Sequence, residues 1–426
     1  MRDGILALIF AVLMLMVIWR PWLGILVWSW IGYMNPHRLC WGFAAAFPFA
    51  AVTVGVTIPC VLLSRESKRM PWTRETVLLL LLVLWMNVTL LFALNPDGAA
   101  EGWSKVMKIQ FMTFVGLMVI SDRLRLNALV WTIVVSLGFF GVKGGLFTLV
   151  SGGSDHVFGP PGTFIEDNNE LAVALVMILP LMRYLQMSAK KWWIRMGLVG
   201  AQVLTVLAVL ATYSRGGLLA LAAVGIMALV SSKKKLRLAL AIAVVVPTLL
   251  AVLPNKWSDR MKTIGSYEED GSAMGRLNAW RFAYNLAVDR PLTGGGFRSF
   301  TPALFRVYAP DPEDHHAAHS IYFEMLGDHG FVGLALFIAT GFFTFRKAAM
   351  VTRSAKQNPE VQWAADLVTM TKVGLVGYAV GGAFVSLAYF DLPYHLLSII
   401  VISGVLVRRT ELKGDGEPTL SDTAAA

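Results

Sequence analysis

Long uninterrupted blocks of apolar residues constrain this chain more than any other feature of its sequence. Of its 426 residues, 56% are hydrophobic and only 15% are charged. A soluble protein interleaves apolar and polar positions with a period of 2 or 3.6, whereas about 20 apolar residues in a helix cross the hydrocarbon layer of a bilayer. The strands of a membrane barrel alternate in polarity, and these blocks do not. The sequence therefore predicts an all-α polytopic membrane protein.

The apolar blocks predict about 12 transmembrane helices. The first block, 4–34, is too long for one span, and the sequence WRPW at 19–22 interrupts it. Because proline breaks or kinks a helix, one broken helix and a short hairpin both remain open. The remaining predicted spans are 41–63, 76–94, 107–120, 127–149, 170–187, 194–213, 216–231, 237–254, 320–345, 371–390 and 394–408.

These spans divide the chain into four regions. We expect an N-terminal bundle of about nine spans (1–254), a long extracytoplasmic loop (255–319), about three C-terminal spans (320–410) and a disordered tail (411–426). Within the long loop, residues 276–292 carry apolar side chains at helical spacing, which predicts a helix on or near the membrane surface. The apolar positions are Leu277, Trp280, Tyr284, Leu286 and Val288.

Positive charge is concentrated in alternate loops. The formal net charge is +10, which on a soluble protein would suggest nucleic acid as a partner. Here the basic residues lie in short loops such as 64–74 and 231–237, whereas the loops 95–103 and 151–170 are acidic or polar. The positive-inside rule places the basic loops in the cytoplasm. If Arg2 also lies inside, both termini are cytoplasmic.

Two polar clusters flank predicted spans on the extracytoplasmic side. In GTFIEDNNELA (162–172), Asp167 or Asn168 is expected to cap a helix, and Glu170 suits the helix dipole. In YSRGG (213–217), Arg215 lies at the membrane boundary. Its guanidinium either snorkels to the surface or holds the phosphate of a lipid headgroup, for which its planar fork is well suited.

A third cluster, GRLNAWR (275–281), offers two arginines. On a helix Arg276 and Arg281 lie about 140° apart, so one faces inward while the other faces away. We favour Arg276 as the functional one, because it lies at the start of the predicted helix, where backbone N–H groups also attract anions.

The fourth cluster, DPEDHHAAHS (311–320), is the densest polar stretch of the chain. His315, His316 and His319 have spacings that metal binding would allow on a helix. A solvated loop is the second interpretation. The third is a single general base, His319, because it is the last polar residue before a span and a neutral imidazole is a competent base at neutral pH.

These motifs together resemble the O-antigen ligase and oligosaccharide polymerase superfamily. HSIYFEMLGDHGFVG (319–333) is similar to its signature of a histidine, an acidic residue and two glycines, here His319, Glu324, Gly330 and Gly333. The cluster GTFIEDNNELA, which contains Asn169, resembles the family's asparagine-bearing motif at the start of a span. The clusters around Arg215 and Arg276 resemble its two arginine motifs. Where the family has asparagine after the histidine, this chain has Ser320. His329 has no counterpart in the family pattern.

The resemblance implies a glycosyltransferase C-like architecture and an O-antigen ligase without metal or other cofactor. His319 would be the catalytic base, and Arg215 and Arg276 would hold the diphosphate of the donor. Arg281, Asn169 and Glu324 are further site candidates.

The implied donor is an undecaprenyl-diphosphate-linked glycan, and the implied acceptor is a sugar hydroxyl of lipid A–core, at the periplasmic face of a bacterial inner membrane. Membrane lipid is a partner, and nucleic acid and nucleotide are not. A repeat-unit polymerase, a protein O-oligosaccharyltransferase and a transporter of lipid-linked glycans are the alternatives.

Overall fold

A computed structural model describes residues 1–66, 68–232, 234–251, 253–255, 257–258 and 271–414. Throughout this described part the regular structure is helical, and it contains no strand. Within the described residues there are fifteen α-helices. They are α1 Arg2–Trp19, α2 Leu23–Met34, α3 Phe49–Leu63, α4 Arg74–Leu90, α5 Pro96–Val119, α6 Arg123–Ser151, α7 Asn168–Ser188, α8 Trp192–Ala211, α9 Arg215–Ser231, α10 Lys235–Leu250, α11 Gly271–Asp289, α12 Pro302–Tyr308, α13 Ile321–Gln357, α14 Gln362–Gly381 and α15 Asp391–Gly414.

Several of these helices have the length and composition of membrane spans. Among the described residues, seven helical segments are long and apolar enough to cross a bilayer. Shorter apolar helices, including α2, α3 and α9, accompany them. The prediction of an all-helical, multi-pass membrane protein is therefore confirmed, and the number of 12 spans remains a prediction.

The loops gather at two ends of the bundle. One end, the outer face, carries segments 35–48, 152–167, 212–214 and 382–390. Contacts join these segments to one another: Asn168 donates its side-chain amide to the carbonyl of Thr212 (2.6 Å), and the rings of Tyr33 and Phe390 lie 5.9 Å apart. The other end, the basic face, carries the basic loops, and there Arg409 donates to the carbonyl of Ser121 (3.3 Å).

The first apolar block is a helical hairpin. Helices α1 and α2 are separated at Arg20–Trp22, because Pro21 lacks the N–H that a continuous helix needs. The hairpin turn lies at the basic face, where the guanidinium of Arg125 is 5.4 Å from the ring of Trp22. Its start lies at the outer face, where Asp3 accepts hydrogen bonds from the backbone of residues 42 and 44.

This hairpin corrects the prediction that both termini lie on one side. The start of α1 is at the outer face, whereas α15 ends near Ser121 at the basic face. Because the hairpin reverses the chain direction within residues 2–34, the two ends of the described chain lie at opposite ends of the bundle.

Helix α7 lies at the centre of the bundle. It is apolar on all sides, and residues 171–178 are fully enclosed, as expected for a helix surrounded by other helices. Helices α8 and α14 pack along it. Its N-terminal residues, Asn168 to Glu170, are thereby fixed at the middle of the outer face.

Helix α13 bends sharply at Gly330, whose φ is 67° and ψ is −169°. A Cβ atom at this position would lie 2.5 Å from the carbonyl oxygen of Leu292. The next residue, Phe331, donates its N–H to the carbonyl of Pro291 (2.9 Å). The kink therefore separates the first segment of the helix, 321–329, from the longer segment that follows Gly330.

Helix α11 is the predicted loop helix, with bounds at Gly271 and Asp289 instead of 276 and 292. Its buried face consists of Ala279, Phe282, Ala283 and Leu286. Three of the apolar residues that predicted the helix, Leu277, Tyr284 and Val288, are exposed on another face. The predicted surface location of the helix stays a prediction. Residues 256 and 259–270 of the long loop, and the tail from 415, lie outside the described residues.

Candidate active site on the outer face

His319 lies between the long loop and helix α13. Its backbone adopts φ 41°, which is uncommon for a residue with a side chain. Its N–H donates to the hydroxyl of Ser386 (2.9 Å), and the indole of Trp280 donates to the neighbouring carbonyl of Ala318 (2.9 Å). The strained backbone is thus fixed from two sides, by α11 and by the segment before α15. A residue held in this way has a defined backbone position.

The imidazole of His319 faces a buried carboxyl group. Its Nδ1 atom lies 4.0 Å from Oε1 of Glu170, in the first turn of α7. The same oxygen accepts a long hydrogen bond from the N–H of Ser386 (3.5 Å). Ser386 therefore contacts both residues, and Nδ1 is the ring nitrogen nearer to Glu170. The predicted N-cap is confirmed, since Asp167 accepts from the N–H of Asn169 (2.8 Å).

The pKa of His319 is lowered from its ordinary value of 6.5. Burial disfavours the imidazolium, and the positive charge of Arg276 adds to the effect; Asp167 opposes it. At neutral pH the ring is therefore neutral, which is the protonation state that a general base requires.

Arg215 begins helix α9 beside the same group of residues. Its neighbour Ser214 caps the helix by accepting from the N–H of Gly217 (3.0 Å), and the Ser214 hydroxyl also donates to Oδ1 of Asn169 (2.7 Å). The structure thus joins two of the sequence motifs, because Asn169 at the start of α7 is bonded to the residue that precedes Arg215. The guanidinium is half-buried.

The two arginines of α11 differ in environment. Arg276 is half-buried and close enough to His319 to lower its pKa, whereas Arg281 is exposed. A Cβ atom at Gly275 would lie 2.6 Å from the ring of His316, so glycine allows the loop to approach the helix start. The predicted division into one inward and one solvated arginine agrees with this placement, and the functional role of Arg276 remains a prediction.

The other histidines of the cluster are not arranged as metal ligands. His315 and His316 are exposed, and His316 contacts Asp314 at 2.6 Å. The loop is held by the side chain of Asn278, which donates to the carbonyls of Asp311 (2.8 Å) and Asp314 (2.7 Å). Across the described ranges, no three His, Cys, Asp or Glu side chains group as a metal site would require.

A cavity of about 660 Å³ lies on the outer face, and the residues directly before His319, Ala317 and Ala318, line it. Its wall includes Lys105, Phe164, Glu324 and Ser386. The carboxylate of Glu324 accepts from the N–H of Ala388 (3.1 Å), and the ammonium of Lys105 lies 3.6 Å from the ring centre of Phe164. A carboxyl group, an ammonium group and an aromatic ring are groups that contact sugars well.

A smaller cavity of about 490 Å³ adjoins the first one. The two share Lys105, Phe164 and Ser386, and the smaller cavity reaches Asp167 and Glu170. Lys105 and Phe164 gave no signal in the sequence, because an isolated lysine and an isolated phenylalanine near a span are ordinary there.

A buried polar network supports the kink of α13. Asp328 accepts from Ser299 and from the hydroxyl of Tyr389 (2.8 and 2.7 Å). His329 contacts Tyr389 through Nε2 (2.9 Å) and the hydroxyl of Thr89 through Nδ1 (2.7 Å). All these groups are paired, which buried polar atoms require. The sequence suggested no role for His329, and the structure gives it one in packing.

Comparison with known families agrees with this arrangement. Residues 200–338 match a family described as O-antigen ligase, and residues 1–190 match a family of unknown function, DUF5935. No curated protein matches the chain. The first match spans Arg215, Arg276 and His319. The match over residues 200–338 supports the O-antigen ligase superfamily, and the resemblance seen in the motifs is confirmed; a match to this family implies a membrane glycosyltransferase type of activity.

Proposed function

We propose that the protein is an inverting O-antigen ligase that needs no metal ion. It transfers a polysaccharide from undecaprenyl diphosphate to a sugar hydroxyl of lipid A–core. The observation that carries the proposal is the position of His319, near the half-buried Arg276 and next to Ala318, which lines the outer cavity.

In the proposed reaction the acceptor hydroxyl oxygen attacks the anomeric carbon of the donor sugar. The bond between that carbon and the phosphate oxygen breaks, and undecaprenyl diphosphate leaves with the bonding electrons. The hydroxyl proton passes to Nε2 of His319. Attack from the face opposite the leaving group inverts the anomeric configuration. The donor bond supplies the free energy, so no nucleotide takes part.

Arg215 and Arg276 are proposed to hold the diphosphate. A guanidinium donates two parallel hydrogen bonds to phosphate oxygens and keeps its charge at every physiological pH. Fixed cations of this kind stabilise the negative charge that develops on the leaving group. Arg215 lies at the start of a helix, where backbone N–H groups favour an anion further.

The outer cavity is proposed to admit the acceptor. The Glu324 carboxyl group can hydrogen-bond sugar hydroxyls, and the ring of Phe164 suits the apolar face of a sugar. Lys105 would contact an acidic substituent of the acceptor. With the basic face in the cytoplasm, the cavity opens to the periplasm of a bacterial inner membrane.

Reconstitution tests this proposal. The full-length protein in liposomes receives a lipid-linked glycan together with lipid A–core, with a second donor molecule or with a pilin-type peptide. If the protein is a ligase, product should form with lipid A–core and with neither of the other two acceptors. Product with the second donor would identify a polymerase, and product with the peptide a protein glycosyltransferase. Movement of the glycan across the bilayer without transfer would identify a transporter.

A further inference from the structure

Lys105, on helix α5, is a cation that both outer cavities share. Its side chain is exposed and lines the larger and the smaller cavity. The ammonium lies 3.6 Å from the ring centre of Phe164, and that ring lies 6.1 Å from the ring of Phe390. A cation over the face of an aromatic ring is attracted by the negative charge of that face. The ammonium is therefore held at the cavity wall, where a ligand can reach it.

The charges around Lys105 leave an excess of positive charge. Four charged side chains lie close enough to act on it: the cations Arg38 and Arg298 and the carboxyl groups of Glu101 and Asp391. With Lys105 itself, three cations face two carboxyl groups, so at least one positive charge is left over within this group. Arg298 and Glu101 bind each other through two hydrogen bonds (2.5 and 3.0 Å). The excess therefore falls on Lys105 and Arg38.

Asp391 supports the ammonium from inside the protein. Its carboxyl group and Lys105 act on each other, and Asp391 is only 4% exposed. A Cβ atom at Gly32 would lie 3.1 Å from Oδ2 of Asp391, so helix α2 lies against the carboxyl group. Salt screens a buried charge only weakly. The carboxyl group therefore retains the ammonium at the wall and leaves its exposed side to a ligand.

The opposite side of the cavities carries carboxyl groups. Glu324 and Asp328 line the larger cavity, and Glu170 lines the smaller one. Glu170 lies 4.0 Å from His319. Carboxyl groups bind hydroxyls, and where they are ionised they repel an anion. A ligand with one acidic group is therefore oriented, with its acidic end at Lys105 and a hydroxyl on the side of His319.

We infer that Lys105 is the centre of an anion site, which selects an acceptor that carries a carboxylate or a phosphate near its reacting sugar. The inference rests on the proposed function, because it needs an acceptor in the outer cavity. An ammonium is a point charge without the planar fork of arginine, so it accepts either anion. The substrate class is thereby an acidic glycolipid, and a neutral one lacks the group that the site binds.

A pair of lysines on α5 provides a matched test. Lys105→Gln removes the positive charge from the cavity wall and keeps a polar side chain of similar length. Lys108→Gln is the control, because Lys108 is also exposed, lies one turn further along the same helix and lines neither outer cavity. Lys105→Arg keeps the charge and should behave as the wild type, which a loss of packing at this position would not allow.

The measurement is kcat/KM for transfer by the full-length protein in liposomes, with intact lipid A–core and with lipid A–core stripped of its phosphate and carboxylate groups. We expect the wild type, Lys108→Gln and Lys105→Arg to prefer the intact acceptor about tenfold, as one charge-assisted hydrogen bond allows. In Lys105→Gln we expect this preference to fall to about one, through a higher KM for the intact acceptor. Acceptors stripped of phosphate alone or of carboxylate alone identify the anion.

A wild-type preference in Lys105→Gln would overturn the inference, as would an equal loss with both acceptors, because that would show a structural role. A higher KM for the donor with an unchanged KM for the acceptor would assign the anion to the donor glycan, and the inference would fail. The proposed function fails separately. A wild-type protein that transfers to neither acceptor is not a ligase, whereas equal transfer to both acceptors overturns the anion site alone.

Discussion

At the scale of single residues, the site depends on a histidine whose backbone is fixed more firmly than its ring. His319 has φ 41° and is held by Ser386 through its N–H. Its ring lies 4.0 Å from Glu170, a distance longer than a hydrogen bond. The buried carboxyl group of Glu170 lies on the Nδ1 side of the ring, and Nε2 is the nitrogen that we propose acts on the substrate.

The first prediction concerns the geometry of Arg215. Arg215→Lys keeps the charge but replaces two parallel donors by a single ammonium group. We expect transfer in reconstituted liposomes to fall at least about a hundredfold, which corresponds to about 2.7 kcal/mol of lost transition-state stabilisation. Arg281→Lys, at the exposed arginine of α11, is the control and should retain activity. Full activity of Arg215→Lys would show that only charge is needed.

The second prediction concerns pH. His319 acts as a base only when it is neutral, and burial together with Arg276 holds its pKa below 6.5. Activity should therefore persist as the pH falls through 6.5 and be lost only at lower pH, in a profile of kcat/KM against pH. Arg276→Gln removes one cause of the lowered pKa, so its acidic limb should move to higher pH. An acidic limb at or above pH 6.5 in the wild type would contradict the assignment.

The sequence predicted some of these residues and missed others for a physical reason. The sequence drew attention to His319, Arg215 and Arg276 because they are polar residues at the ends of apolar segments. A charged residue there is energetically costly, so its presence suggests a function. Glu170 was predicted only to suit a helix dipole, because its partner His319 lies far away in the chain. Such pairs form through packing of helices, which no local pattern shows.

At the scale of helices, the apolar blocks predict which segments form spans more accurately than they predict where each helix begins and ends. The predicted span 170–187 agrees closely with α7, because its apolar block is bounded by polar residues on both sides. The predicted span 107–120 is part of a longer helix that begins at Pro96. Its first turns carry Lys105 and other polar residues that line the outer cavity, so hydropathy alone did not include them.

The third prediction concerns the kink of α13. An alanine at Gly330 would be strained at φ 67° and would approach the carbonyl of Leu292. We expect Gly330→Ala to destabilise the protein by about 1–3 kcal/mol, seen as a lower melting temperature in detergent. Gly341→Ala is the control on the same helix, because its Cβ position is open. Equal melting temperatures of the two variants would contradict the view that the positive φ at position 330 requires glycine.

At the scale of the whole molecule, the outer face brings together segments that are far apart in the sequence. The starts of α7, α9 and α13 meet there, with the segment before α15 between them. Alternating loop charge predicted that these segments share a face. The location of the first residue was predicted wrongly, because Arg2 suggested the basic face while Asp3 is bonded to residues 42 and 44 at the outer face.

The fourth prediction concerns metal ions. Two arginines are proposed to stabilise the leaving diphosphate, a role that a divalent cation has in other enzymes. Transfer by the reconstituted protein should therefore be unchanged by a chelator. The double variant His315→Ala, His316→Ala should also keep most activity. Activity that is lost with the chelator and restored by an added divalent ion would revive the metal interpretation of the histidine cluster.

The fifth prediction tests the central claim, that His319 is the base of a glycosyl transfer from a lipid diphosphate. The measurement compares wild type and His319→Ala in liposomes, with donor binding and transfer to lipid A–core determined on the same samples. A general base contributes about a hundredfold to ten-thousandfold. We predict donor binding within about threefold of wild type and transfer reduced at least about a hundredfold. Transfer at the wild-type rate would contradict the assignment.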